Sequence, residues 1–424
     1  MLKGSRPETV PESPSPSLRV VHMVTLDSIR AARERIRSRI YESPCAYSEA
    51  LSQLTGNRLW LKLENLQMTG SFKERGALNR ILTLSKEEAA RGVIAASAGN
   101  HAQAVSFHAT QHGIRAQICM PVTAPLNKVT QTRAYGAEVV LVGETYDDAY
   151  QEACRRQQEF GFTFLHAFND EDVIAGQGTI GLEVLEQVPQ LQALIAPIGG
   201  GGLLGGIACA IKELRPEVRV IGVQTERVPS MVEALRAHHP VTVPAAATIA
   251  EGIAVRRAGE LTLPLIERFV DEMITVSEDE IANAILLLLE REKTLAEGAG
   301  AAATAALLQR KTSLSGKNVV SAVCGGNLDV TVLSRIIERG LVKDGRLVRL
   351  HVYLADRPGG LKGLVEIVAA KRGNIVDLRH ERAYFGVHLG ETVVDITIET
   401  RGAEHITEIV NDLEAAHYTV HRVQ

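Results

Sequence analysis

Leu191-Gln192-Ala193-Leu194-Ile195-Ala196-Pro197-Ile198-Gly199-Gly200-Gly201-Gly202-Leu203-Leu204-Gly205-Gly206-Ile207-Ala208-Cys209-Ala210-Ile211 carries no charged side chain. A run of this length suits a membrane span, but six glycines and Pro197 interrupt it. It reads instead as a buried strand at 193–198, a glycine turn, and a buried helix from Leu203. A strand that is apolar on both faces belongs between two helical layers, so this stretch predicts an α/β protein with a parallel sheet.

Similar apolar runs lie at 59–63, 93–96, 116–120, 138–142, 218–223 and 319–323, separated by helical patterns. Ligands of parallel sheets sit at the carboxyl ends of the strands, so the turns after these runs are where chemistry is expected. The chain has 424 residues, enough for about two or three domains. Hydrophobic residues make up 45%, which excludes a disordered chain, while aromatics are only 4%. The core is therefore expected to be aliphatic and closely packed, for which 36 glycines are suited. A net charge of -4 gives no footprint for nucleic acid or an anionic membrane. Five cysteines (Cys45, Cys119, Cys154, Cys209, Cys324) contain no CxxC pair, and no HExxH occurs among 13 histidines. A disulfide framework and a metal site are not expected, and a reducing, cytoplasmic compartment is.

Residues 1–22 are polar and rich in Pro and Ser, without the apolar stretch of a signal peptide. They read as a disordered arm, with Met23 as a candidate start. Asp27 or Ser28 is expected to cap a helix whose face is Ile29, Ala32, Ile36 and Ile40. The last 80 residues change character: their pattern is β-α-β-β-α-β, a split-βαβ unit over 347–424 behind a linker at 341–346.

Four turns carry the chemistry. Thr69-Gly70-Ser71-Phe72-Lys73-Glu74-Arg75-Gly76-Ala77 holds one lysine between a strand and a helix. Partial desolvation there lowers an amine's pKa and makes it attack carbonyls, although a single lysine is more often a solvated surface group. Ser97-Ala98-Gly99-Asn100-His101 follows a buried strand and opens a helix, whose free N–H groups suit a carboxylate. The plain alternative is a capped turn with His101 packed. Gly199, Gly200, Gly201 and Gly202 can curl their N–H groups around a phosphate. Gly200 to Gly205 also fits GxGxxG, with Glu226 downstream, so these glycines alone leave a nicotinamide oxidoreductase open. Cys324-Gly325-Gly326-Asn327 ends the run at 319–323; alone, its cysteine reads as a small buried apolar residue.

Taken in order, these four motifs resemble the fold-type II pyridoxal 5'-phosphate enzymes, and within them the threonine/serine ammonia-lyases (threonine dehydratases). The match spans about 25–340. It is supported by Leu61-Lys62-Leu63-Glu64-Asn65, Ala175-Gly176-Gln177-Gly178-Thr179 and Glu251-Gly252-Ile253-Ala254-Val255. The resemblance implies a tryptophan synthase β-like, two-lobed catalytic domain over 23–340, with a smaller lobe at about 69–166. It implies that Lys73 binds the cofactor covalently and later removes the substrate Cα proton. Phe72 packs on the ring, Asn100 meets the ring hydroxyl, residues 199–202 cradle the phosphate, and Cys324 faces the ring nitrogen. Ser97, Ala98, Gly99, Asn100 and His101 bind the substrate carboxylate. The implied reaction is dehydration and deamination of L-threonine to 2-oxobutanoate and ammonia, with L-serine as a second substrate. Serine racemases place a serine where this chain has Ala98, so elimination with little racemisation is expected. The racemase metal site has Gln224 in place of its first acid, so no metal is expected. Ser43-Pro44-Cys45 departs from the usual Thr-Pro-Leu and is expected near the substrate.

The C-terminal unit resembles an ACT domain in its ferredoxin-like order and in Gly359-Gly360-Leu361 and Asn374-Ile375. That implies an amino-acid effector, isoleucine or valine, held by those residues, and a homo-oligomer, dimer or tetramer. The alternative within the same fold is a serine-preferring ammonia-lyase or serine racemase, and the reading from a different class, beside the oxidoreductase, is a non-enzymatic amino-acid sensor.

Overall fold

The structure, a computed structural model, describes residues 24–382, 388 and 390–423. The expected arm at 1–22 and start at Met23 lie outside the described residues. Among the described residues no helix is long and apolar enough to cross a membrane.

Three sheets organise the chain. The largest runs in the order Cys45–Ser48, Arg58–Leu63, Asn318–Val323, Ala193–Pro197, Arg219–Thr225, Glu272–Val276. Only its first pair is antiparallel. Helices cover both faces. Ile174, Ile180, Leu204 and Ile207 lie on one side, and Ile281, Ile285, Ala302 and Ala305 lie on the other; all are buried. This is why Ala193–Pro197 is buried at all five positions. Removing a side chain such as Leu194 from water is worth roughly 1.5–3 kcal/mol.

The second sheet is parallel throughout and smaller: Glu138–Leu141, Ala116–Met120, Val93–Ala96, Thr163–Phe164. The runs at 93–96 and 116–120 are bounded as the sequence reading has them. They belong, however, to a different sheet from the glycine-flanked strand. Four differences have local causes. Glu138–Leu141 is a half-exposed edge, not a strand covered on both faces. Thr163–Phe164 is two residues long, too short for a pattern to register. Glu272–Val276 is likewise a sheet edge. The first helix, Leu26–Ile36, is capped by Thr25 in a reciprocal pair with Ser28, not by Asp27. It buries Ile29, Ala32 and Ile36 and stops before Ile40.

The third sheet is antiparallel, in the order Asn374–Glu381, Glu391–Glu399, Leu347–Ala355, Thr419–Arg422. Helices Gly360–Ala370 and Ala403–Ala415 bury Leu364, Val368, Ile409 and Leu413 against it. This is the ferredoxin-like βαββαβ order. Helix Val330–Lys343 runs into the expected linker, so only 344–346 separate it from strand Leu347–Ala355.

Candidate active site

The carboxyl ends of strands from the first two sheets open on one cleft of about 1680 Å³. All four motif turns line it, through Phe72 and Lys73, residues 97–101, residues 199–202, and Cys324.

Lys73 opens helix Lys73–Leu82. The turn before it is stitched to the turn after Asn318–Val323: Phe72 N–H donates to the Cys324 carbonyl at 3.0 Å, and Ser71 bridges to Gly325. The Lys73 amine donates to the Ala167 carbonyl at 2.8 Å. Burial lowers its pKa to about 8, against an ordinary 10.5. Phe72 is buried, with its ring centre 5.1 Å from that amine.

The glycine turn ends at Gly201, and helix Gly202–Leu214 follows. The first helical N–H groups have no acceptor within the helix and point out of its N-terminus. Side chains have no room here. A Cβ on Gly200 would run into the Phe168 ring, and one on Gly201, at φ +99°, would lie 2.6 Å from Thr262 Oγ1. Thr262 also donates its hydroxyl to the Gly200 carbonyl at 2.5 Å. The dinucleotide alternative fails on this geometry. The cleft joins these glycines to Lys73 and Cys324, which that reading leaves without a role.

Gly99 N–H donates to Ser97 Oγ at 3.2 Å, and helix Asn100–Gln111 starts behind it. Ala98 lines the cleft. The His101 ring bonds the Leu165 carbonyl at 2.9 Å; burial, then Lys73, lowers its pKa to about 3. His101 is thus a neutral residue held through one ring nitrogen, and it lines the cleft. Cys324 is buried and its thiol faces the Ala299 carbonyl. Burial pushes its pKa well up, so it stays a neutral thiol.

One expectation on the sequence is corrected. Residues 43–45 do not line the cleft. Ser43 belongs instead to a buried ion cluster behind it: its hydroxyl bonds Glu64 at 2.5 Å, and its carbonyl accepts from Lys62 at 2.5 Å. Gln224, which stands where the resemblance has the first acid of a metal site, accepts from Met231 N–H and Val232 N–H at the start of helix Ser230–Ala237. In the C-terminal unit, Gly359, Gly360 and Leu361 lie at the start of helix Gly360–Ala370. Asn374 and Ile375 lie beyond its far end, and Asn374 bonds Glu399 at 2.7 Å. Eleven helical residues separate the two groups by about 16 Å. One chain does not bring them together.

The sequence reading missed Glu297 and Asn327. Asn100 Nδ2 donates to Glu297 at 2.6 Å, and Asn327 Nδ2 donates to Asn100 Oδ1 at 2.8 Å. Asn327 was visible as the last residue of the fourth motif. Glu297 stands alone before a small-residue helix, with no local signal.

The pyridoxal-phosphate dependent enzyme family matches residues 36–325, and the chain belongs to it. An L-threonine ammonia-lyase from Thermotoga maritima is 48% identical over 398 residues, 94% of this chain and 99% of the relative. A catabolic L-threonine dehydratase from Staphylococcus aureus is 45% identical over 329 residues, 77% of this chain and 95% of the relative. Among solved structures, maize serine racemase aligns with a TM-score of 0.71 at 34% identity, covering 76% of this chain and 99% of that one.

The cleft fits pyridoxal phosphate on its own chemistry. It offers an amine of lowered pKa, a helix N-terminus behind a turn that excludes side chains, and a thiol that stays neutral.

Proposed function

We propose that this chain converts L-threonine to 2-oxobutanoate and ammonia, and L-serine to pyruvate and ammonia. The observation that carries the reading is Lys73: an amine of lowered pKa facing the same cleft as the glycine turn and Cys324. Lys73 holds the cofactor, the N–H groups of residues 199–202 hold its phosphate, and Phe72 packs on its ring. Asn100 meets the ring hydroxyl. The N–H groups of residues 97–101 hold the substrate carboxylate.

When bound, the cofactor supplies an electron-withdrawing ring that makes the substrate Cα proton acidic. Lys73 takes that proton; the β-hydroxyl then leaves as water once it acquires a proton. Cys324 keeps its own proton at Sγ, unlike an aspartate partner, so charge is not stored for long and prompt loss of the hydroxyl is favoured over transamination. Threonine thus loses water to give an aminocrotonate, which regains water and releases ammonia.

The likeness to maize serine racemase favours a second reading, racemisation of serine. Ala98 weighs against it, because a methyl group cannot deliver a proton to the opposite face of Cα. Chiral analysis of L-serine reactions is expected to find pyruvate and no D-serine.

The catalytic part extends over 23–340, and the C-terminal unit acts as an ACT-like regulator that binds isoleucine or valine. Control requires that the effector bind two states of the catalytic part differently. The separation of Gly359 from Asn374 supports a site completed by a second chain in a homo-oligomer.

The test is 2-oxo acid release from threonine and serine, with and without isoleucine and valine, on the purified holoenzyme. Release from threonine is expected, together with a visible absorption band lost in Lys73→Ala. A protein that takes up no pyridoxal phosphate defeats the reading. Branched amino acids without effect on rate or oligomeric state defeat the regulatory part alone.

A further inference from the structure

Asn100 is held at both ends of its amide. Its Nδ2 donates to Glu297 Oε1 at 2.6 Å, and its Oδ1 accepts from Asn327 Nδ2 at 2.8 Å. An amide flipped by 180° would face each partner with the wrong group, so the two contacts together fix which end is nitrogen. One Nδ2 hydrogen is used on Glu297, and the other remains for the cleft that Asn100 lines. The backbone makes room for this contact. A Cβ on Gly325 would lie 2.5 Å from Glu297 Oε1 and 3.2 Å from Asn100 Nδ2. Glu297 is anchored in turn, since its N–H donates to the Gly325 carbonyl at 3.0 Å. Asn327 also donates to the Thr69 carbonyl at 2.7 Å, tying the same clamp to the turn that carries Lys73.

We propose that Glu297 is a positioning residue that acts through Asn100, fixing the amide so that its free N–H is presented to the cofactor's ring hydroxyl. The proposal rests on the reading of Asn100 given above. The carboxyl serves as an acceptor whether or not it is ionised, so its charge is a separate property. Burial pushes its pKa up to about 7, opposed by the Asn100 hydrogen bond. The charged and titratable groups facing it are Lys128 and Glu251, themselves an ion pair, Lys73, and Cys324. Ionised Glu297 favours the protonated form of Lys73, so its titration links the clamp to the amine.

Three variants test this: Glu297→Ala, Glu297→Gln, and Asn100→Ala. The readouts are the pH titration of the visible band without substrate, the affinity of the cofactor-free protein for pyridoxal phosphate, and kcat and KM for threonine. Asn100→Ala and Glu297→Ala are expected to move the band alike and to weaken cofactor binding about tenfold. Glu297→Gln keeps the acceptor and is expected to restore band and affinity while removing the carboxyl's own titration. A normal band and affinity in Glu297→Ala, with Asn100→Ala altered, overturns the proposal and leaves the reading of Asn100 intact. Damage in Glu297→Gln equal to that in Glu297→Ala also overturns it. An unaltered Asn100→Ala removes the reading itself, and the proposal with it.

Discussion

Lys73 and Arg75 stand two residues apart on one helix, and the fold treats their charges in opposite ways. Lys73 faces the cleft, bonds only a carbonyl, and has its pKa lowered to about 8 by burial. Arg75 points to the far side, where it is fully buried. There its guanidinium bonds both oxygens of Glu64 at 2.8 Å and the two oxygens of Glu183 at 2.5 and 2.8 Å. Burial opposes its charge too, but the two carboxylates outweigh that and raise its pKa above the ordinary value. Burial likewise opposes ionisation of Glu64, yet Arg75 and Lys62 hold it below the usual carboxylate range. Burial alone therefore does not decide protonation; the partner does. A paired cation anchors this helix, and an unpaired one at its tip is left reactive.

The sharpest way to break the contrast is to remove each cation separately. Lys73→Ala should lower threonine turnover by at least about 10²–10⁴-fold, the share of a general base, and abolish the visible band. Its unfolding midpoint should stay near that of the parent when both are measured free of cofactor. Arg75→Met should do the reverse, because it leaves two buried carboxylates, Glu64 and Glu183, sharing Lys62 as their one remaining cation. We expect a loss of about 3–5 kcal/mol in denaturant unfolding, partly recovered by adding Glu183→Gln. Equal loss of stability in both variants would show that the two charges are not used differently.

A third measurement reads the Lys73 amine directly. Only the free amine attacks pyridoxal phosphate, and a lowered pKa makes that form available at lower pH. Reconstitution of the cofactor-free protein should quicken about fivefold between pH 7 and 8 and about twofold more before it levels off near pH 9–10, with a midpoint near 8. A rate still climbing toward 10.5 would mean an amine as solvated as any surface lysine. The smallest effect is expected from Cys324→Ser, which keeps a neutral donor of similar size in place. Turnover should fall only a few-fold and the products should not change. Cys324→Asp should instead open a side reaction, slow transamination, detected as cofactor converted to its amine form.

The fold was largely legible in the chain. Runs such as 193–198 are apolar at every position because helices cover both faces of their sheets, and the C-terminal alternation marks a sheet covered on one. The strand ends were legible for the same reason, and with them Lys73, residues 199–202 and Cys324. Edges were not. Thr163–Phe164 and Glu272–Val276 bury too little for a pattern to show. Ser43 could not be placed, because its hydroxyl answers to Glu64, twenty-one residues away.

By itself, then, the sequence determined the class of fold, the order of the turns that carry chemistry, and the residue types they present. These are properties of neighbours along the chain, where spacing and turn chemistry leave a local record. Only the tertiary structure decided that the turns after strands 93–96 and 193–197 face one cleft, that Arg75 is paired while Lys73 is not, and that Glu297 meets Asn100. Each depends on groups far apart in sequence and adjacent in space. Protonation and orientation follow from those meetings, since the energy of a buried polar group is set by what it touches.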